Sequence, residues 1–134
     1  MKIIIVLEVK QVSDNNYHYI TPNQLATIEN NSCTEVHITC LDYIPESLRF
    51  IGECIAKLRK NGILTLVGLD IVEISKAVIT GQITIDDINA ILYKGKQSID
   101  TLNRLKLFLA SIHTTIEDIR LNNLTYNIKA IKND

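Results

Sequence analysis

Hydrophobic residues crowd the amino-terminal end: Lys2 to Val9 reads KIIIVLEV, a nearly continuous β-branched run. Without polar alternation, such a run predicts a strand covered on both faces. The polar stretch KQVSDNNYHYITPNQ follows, with turn residues at Ser13 to Asn16. TEVHITC then predicts a second short strand over Glu35 to Thr39.

Further on, Leu48, Ile51, Ile55 and Leu58 recur at intervals of three, four and three, which puts them on one face of a helix spanning Glu46 to Lys60. Pro45 suits its first turn, because proline lacks the amide hydrogen that would go unpaired there. Lys57, Arg59 and Lys60 match the negative end of the helix dipole, and Asn61-Gly62 supplies a left-handed stop. ILTLVGL is then a buried strand over Ile63 to Leu69. The unit 35–39, 46–60, 63–69 has the length of a right-handed parallel crossover.

Two short helices follow, Ile71 to Thr80 ending at Gly81 and Ile85 to Tyr93, the second with Thr84 as N-cap and Asp87 three residues on. Ser98 is placed to cap a longer helix whose Leu102, Leu105, Leu109 and Ile112 repeat the three-four-three spacing. TTIEDIRLNNLTYNIKAIK closes the chain as an antiparallel hairpin around Asn122-Asn123. The order of elements reads as α/β, with a hairpin finishing the sheet.

Composition narrows the function. The 134 residues suit one domain over positions 1–134, and 46% hydrophobic with 22% charged residues predicts a soluble, packed globule. A formal charge of −1 gives no broad positive field for nucleic acid. No apolar run approaches the roughly 20 residues a membrane helix needs, and MKIIIVLEVKQ has too short an apolar core for a signal peptide, so a cytoplasmic protein is expected. Cys33, Cys40 and Cys54 show no C-x-x-C spacing and read as reduced and buried. His18, His37 and His113 are scattered, and no metal site is expected.

The segment VHITCLDYIPESLRFIGECIAKLRKNGILTLVGLD resembles the second half of the class I S-adenosylmethionine-dependent methyltransferase core. There, a strand ends in an LEH-IP turn and the following helix in LKPGG. Leu41-Asp42-Tyr43-Ile44-Pro45 stands at the first turn and Leu58-Arg59-Lys60-Asn61-Gly62 at the second. DDINAILYKGKQSIDTL is similar to an LLYGGKQS stretch of methyltransferase-like proteins, including small phage-encoded ones. The resemblance covers residues 35 to 132, and an Ile-, Asn- and Lys-rich composition permits a phage source. It implies a reduced Rossmann-like methyltransferase core of about five strands, mostly parallel, and S-adenosylmethionine as cofactor.

The family binds the cofactor at a D-x-G-x-G turn after its first strand, where only glycine lets the backbone approach the ligand. Here the first strand runs into VKQVSDNNYHY, and no glycine precedes Gly52. The family's second and third strands have no room between Val9 and Glu35. The first strand would then lie at an exposed edge, a pairing liability. That edge is expected to be covered by residues 10–34, by another copy in a homo-oligomer, or by a different partner.

Asp42 and Tyr43 follow the strand that, by the resemblance, faces substrate, and Asp70 ends the next strand on the same sheet edge. They are the catalytic candidates; the structural alternative makes both aspartates helix caps and Tyr43 a packing residue. Glu8 and Gly68 are assigned to the cofactor side, Glu8 being the acid at the end of the first strand. Lys94 and Lys96 in YKGKQS could bind an anion, or could lie in a solvated loop. Two functions compete: a methyltransferase that positions a sulfonium methyl against a nucleophile, and a non-catalytic oligomeric or virion-associated module on a degenerate methyltransferase fold.

Overall fold

The computed structural model describes residues 1–9 and 16–134. Of the turn expected at Ser13 to Asn16, positions 13–15 lie outside the described residues. The strands are β1 (Lys2–Ile5), β2 (His18–Ile20), β3 (Cys33–Ile38), β4 (Leu58–Leu69), β5 (Thr114–Asn122) and β6 (Thr125–Lys132). They form one sheet in the order β2-β1-β3-β4-β6-β5. β1 pairs parallel with β2 and β3, and β3 with β4. β6 runs antiparallel between β4 and β5. The mixed sheet with its carboxy-terminal hairpin is the expected α/β class.

The helices are α1 (Ser47–Lys57), α2 (Ile71–Ile79), α3 (Ile85–Leu92) and α4 (Leu102–Ser111), with short 3-10 turns at Pro22–Thr27 and Leu41–Tyr43. Strand alternation sends Val36, Ile38, Leu64, Leu66, Ile128 and Ala130 to one face of the sheet. There they pack against Ile51 and Cys54 of α1, Leu105 and Leu109 of α4, and Leu25 of the first 3-10 turn. Each large aliphatic side chain so buried contributes about 1.5–3 kcal/mol. Cys33, Cys40 and Cys54 are free thiols buried in this core.

Several sequence expectations need correction. Six strands are present among the described residues rather than about five, because His18–Ile20 forms a strand too short to show in the hydrophobic pattern. It pairs with β1, so the first strand is interior and has no free edge through which copies could join. Of the three expected covers, the 10–34 segment supplies that neighbour, as β2. β1 is also not covered on both faces by described elements: Ile3 and Ile5 are fully buried, whereas Ile4 between them is only half-buried.

α1 stops at Lys57, not Lys60, because Leu58 already turns to extended backbone with φ −73° and ψ 139°. Arg59 and Lys60 belong to β4. Asn61 carries the left-handed φ of 63°. Gly62 is needed for clearance, since a Cβ there would lie 2.8 Å from the Arg59 carbonyl oxygen. Pro45 precedes the N-cap Glu46 rather than entering the helix. Thr101, not Ser98, caps α4, with its Oγ1 accepting from the Arg104 amide at 3.0 Å. The Ser98 hydroxyl donates to the Leu41 carbonyl instead, at 3.2 Å. The Thr84–Asp87 capping box and the left-handed Gly81 are as expected, and the closing hairpin is present but turns at Asn123-Leu124, one residue on from Asn122-Asn123, because Asn122 still pairs with Thr125.

Candidate functional site

β3 delivers the Leu41–Tyr43 turn to the carboxyl end of the sheet, where three acids are buried: Asp42, Asp70 and Asp100. The Asp42 carboxylate accepts from the Leu69 amide, with Oδ2 at 3.0 Å. Its carbonyl accepts from the Gln97 and Ser98 amides at 2.8 and 3.0 Å. Asp42 thereby ties the ends of β3 and β4 to the loop after α3. Burial pushes its pKa above the ordinary aspartate value, against the pull of the Leu69 amide and the Lys96 charge.

Asp70 is the N-cap of α2, with Oδ1 accepting from the Val72 amide at 2.8 Å. Its Oδ2 accepts from the Leu102 amide at 3.0 Å, in the first turn of α4. Asp100 bridges to Asp70 through the backbone, where the Ile71 amide donates to the Asp100 carbonyl at 3.0 Å. Its carboxylate holds the Thr101 amide at 2.8 Å and lies 3.7 Å from the Arg104 guanidinium. The phenol of Tyr126 is directed among these acids. It is buried, and its hydroxyl has no hydrogen-bond partner among the described residues. Burial first, then Asp42, Asp100 and Asp70, push its pKa upward. Gly68 makes room for it, because a Cβ there would collide with the Tyr126 hydroxyl.

The structure therefore brings Asp42 and Asp70 to one edge but occupies both carboxylates with backbone amides. Gly68 faces Tyr126. Tyr43 lies half-buried with the Lys96 Nζ donating to its hydroxyl at 3.2 Å and standing 4.7 Å from its ring centre. Gly95, left-handed at φ 78°, brings its backbone against the same ring. Lys94 and Glu8 are exposed, Glu8 in a bend beyond β1. Sequence reasoning missed Asp100 and Tyr126. Asp100 precedes Thr101 and the first leucine of α4, a helix-start signal that was legible; Tyr126 reads as an ordinary core position of an alternating strand.

A cleft of about 540 Å³ opens outside the carboxyl ends of β1, β2 and β3. Leu7, Ile44 and Phe50 form apolar walls, while Asn23, Tyr43 and Glu53 supply polar atoms. β1 has β2 on one side and β3 on the other, so the cleft sits where the strand order reverses, the place where open α/β sheets bind ligands. A smaller cavity of about 240 Å³ lies beyond Tyr43, lined by Leu69, Leu92, Tyr93 and Lys96. Among the described residues no group of His, Cys, Asp or Glu side chains is arranged to hold a metal ion. No described helix is long and apolar enough to cross a membrane.

No protein-family model and no curated protein matches the chain. Solved structures do. A Listeria monocytogenes protein assigned as an S-adenosylmethionine-dependent methyltransferase superposes with a TM-score of 0.66 at 13% identity, covering 99% of this chain and 81% of that one. An S-adenosylmethionine-dependent methyltransferase from Mesorhizobium loti gives 0.65 at 12% identity, covering 87% and 69%. A Thermotoga maritima S-adenosylmethionine-dependent methyltransferase gives 0.59 at 12% identity and 87% coverage of this chain. The chain spans 63% of that protein, under two thirds of its length. At such identities the likeness establishes architecture: this chain has a small, reduced form of the Rossmann-like fold of S-adenosylmethionine-dependent methyltransferases.

Proposed function

We propose that the chain binds an adenosyl ligand of the S-adenosylmethionine class in the cleft outside β1, β2 and β3, and that its activity is methyl transfer. The observation that carries this reading is the 540 Å³ cleft at the strand-order reversal. Its residues fit the nucleoside half of such a ligand: Leu7, Ile44 and Phe50 offer surfaces for a purine, and Asn23 and Glu53 offer partners for ribose hydroxyls. The amino-acid half meets no glycine turn after β1, which leaves Glu8 as the acid nearest that exit. Bound there, S-adenosylmethionine supplies an electrophilic methyl group. Tyr43, held by Lys96, lines the cleft and orients a substrate, while Asp42 and Asp70 keep the strand ends and helix starts in place as positioning residues.

Calorimetric titration with S-adenosylmethionine, S-adenosylhomocysteine and methylthioadenosine tests this. One-to-one binding of all three supports the nucleoside-centred cleft, and silence at millimolar ligand overturns it. The second reading, a non-catalytic oligomeric or virion-associated module on a degenerate methyltransferase fold, draws on the absence of glycine from Val6 to Val9. For that reading, silence toward all three ligands is the expected result.

A further inference from the structure

The loop from α3 to α4 returns to the end of β4, and between them lies the cavity of about 240 Å³ beyond Tyr43. Its walls are mainly apolar: Leu69, Leu92 and Ile99, each half-buried, and Tyr93, whose side chain is 79% exposed. Side chains that line an unfilled space lack the packing contacts an occupant would give them. One lining residue is charged, Lys96, and none is acidic. Lys94 is exposed and outside the lining, so the cavity carries a single positive charge.

Lys96 has polar company but no counter-ion. Its Nζ donates to the Tyr43 hydroxyl at 3.2 Å and stands 4.7 Å from the centre of that ring, which leaves its charge uncompensated. It forms no ion pair among the described residues. Asp42, whose carboxyl feels this charge, keeps its oxygens on the Leu69 amide. An ammonium group has three donors, so two remain for a ligand. The contacts with Tyr43 also hold the end of a flexible stem, which reduces the entropy lost when an anion is bound.

We propose that this cavity binds a small single-ring carboxylic acid, its ring among Leu69, Leu92 and Tyr93 and its carboxylate on the Lys96 ammonium. Size limits the ligand. A cavity of about 150 Å³ holds a benzene, and sites for drug-sized molecules start at roughly 300 Å³. At about 240 Å³ there is room for one ring and a carboxylate, and not for a nucleoside. Charge selects the acid over a neutral ring of the same size, because hydrogen bonds between ionised partners are the stronger ones. The apolar walls select the ring over a bare anion, which would leave them wet. Tyr43 stands between this cavity and the larger cleft, lining the cleft and holding Lys96 on the other side, so the site is separate from the nucleoside position and the inference goes beyond that reading.

Amide NMR titration of the full chain with benzoate, in the absence of any adenosyl compound, tests the proposal. Saturable shifts are expected at Leu92, Lys96 and Ile99, with a Kd on the order of 0.1–1 mM for a ligand of this size. Benzyl alcohol, which keeps the ring and loses the charge, should bind at least about tenfold more weakly. Acetate, which keeps the charge and loses the ring, should bind weaker still, by roughly a hundredfold. Lys96→Met should reduce benzoate to the level of benzyl alcohol while Lys96→Arg retains most of the affinity, and Leu92→Trp, which fills the space, should abolish binding of both rings. The dispersion of each spectrum shows whether the variant is folded; if Lys96→Met is not, Lys96→Gln replaces it. No shifts at about 10 mM benzoate, well above the expected range, overturn the proposal. So do shifts centred on Asn23 and Phe50 in the cleft, acetate binding as tightly as benzoate, or a folded Lys96 variant lacking the charge that binds benzoate as the parent does. None of these outcomes depends on whether the cleft takes an adenosyl ligand.

Discussion

The carboxylate of Asp70 accepts the Leu102 amide at 3.0 Å while its other oxygen caps the helix that Asp70 itself begins. One side chain thus serves the first turns of α2 and α4, reaching an amide 32 residues away in sequence. Losing one cap costs about 1 kcal/mol. Asp70→Ala is expected to lose about 2 kcal/mol or more, because two caps disappear and buried amides are left unpaired. Asp70→Asn should lose less, since one oxygen still accepts. Urea denaturation of both variants measures the difference.

The Gly68–Tyr126 contact yields a paired prediction. Gly68→Ala sets a Cβ against the Tyr126 hydroxyl and should destabilise by about 1–3 kcal/mol, the usual cost of overpacking. Tyr126→Phe removes a buried hydroxyl that has no hydrogen-bond partner among the described residues. It should leave stability unchanged or raise it by up to about 1 kcal/mol. Combining them should recover part of the alanine penalty, a non-additivity that a double-mutant cycle reads directly.

Asp42 gives a pH signature of opposite sign to most carboxylates. Its folded pKa lies above the ordinary 3.8, so the folded state holds the proton more tightly than the unfolded state. The stability this group contributes is full below the unfolded value and is lost as pH rises through the folded one. Asp42→Asn should flatten that part of the curve and match or exceed the parent at neutral pH. Thermal melts from pH 3 to about 8 check this, since linkage acts only across the span between the two pKa values.

Glu35 runs the other way. The His37 ring, then Lys2 and Tyr17, hold its pKa down to about 2 from an ordinary 4.5, against a partial opposing effect of burial. The stability it contributes is present above the unfolded value and is lost as pH falls through the folded one. Acid melts should therefore show stability declining from about 4.5 towards 2 in the parent and little such decline in Glu35→Gln.

For the proposed cleft, the discriminating side chain is Tyr43. Tyr43→Ala should weaken methylthioadenosine binding by about tenfold, in line with the energy of an aromatic stack, and Tyr43→Phe should retain most of it. Calorimetry on the three proteins decides whether Tyr43 contacts the ligand or only packs.

Much of this fold was legible because helices announce themselves. The three-four-three spacing of Leu48, Ile51, Ile55 and Leu58, the Thr84–Asp87 box and the hairpin asparagines each carry a local signal, and each lies near where it was expected. β2 was not legible: three residues, His18–Ile20, sit in a polar stretch, and only pairing with β1 makes them a strand. The end of α1 was misplaced because Arg59 and Lys60 suit a helix terminus and an exposed strand end equally. At the candidate site, Asp42 and Asp70 could be located from their strands. The capping of α2 by Asp70 is a local signal and was the structural alternative. That the Asp42 carboxylate accepts from the Leu69 amide of β4, and Asp70 also from the Leu102 amide of α4, depends on distant segments meeting at the same sheet edge, a long-range event with no local code. The glycine-free exit from β1 was plain in the sequence and remains so.

The interior position of β6 imposes an order of events on synthesis. The two long ladders on either side of it, to β4 and to β5, can close only when Thr125–Lys132 has left the ribosome. Until then β4 presents an open apolar edge and β5 has no neighbour in the sheet, so the growing chain is exposed to mispairing from the emergence of β4 until that of β6. A truncation before Thr125 would remove an interior strand of the sheet, and the expected product is a target for chaperones and proteases, not a shortened version of the same protein.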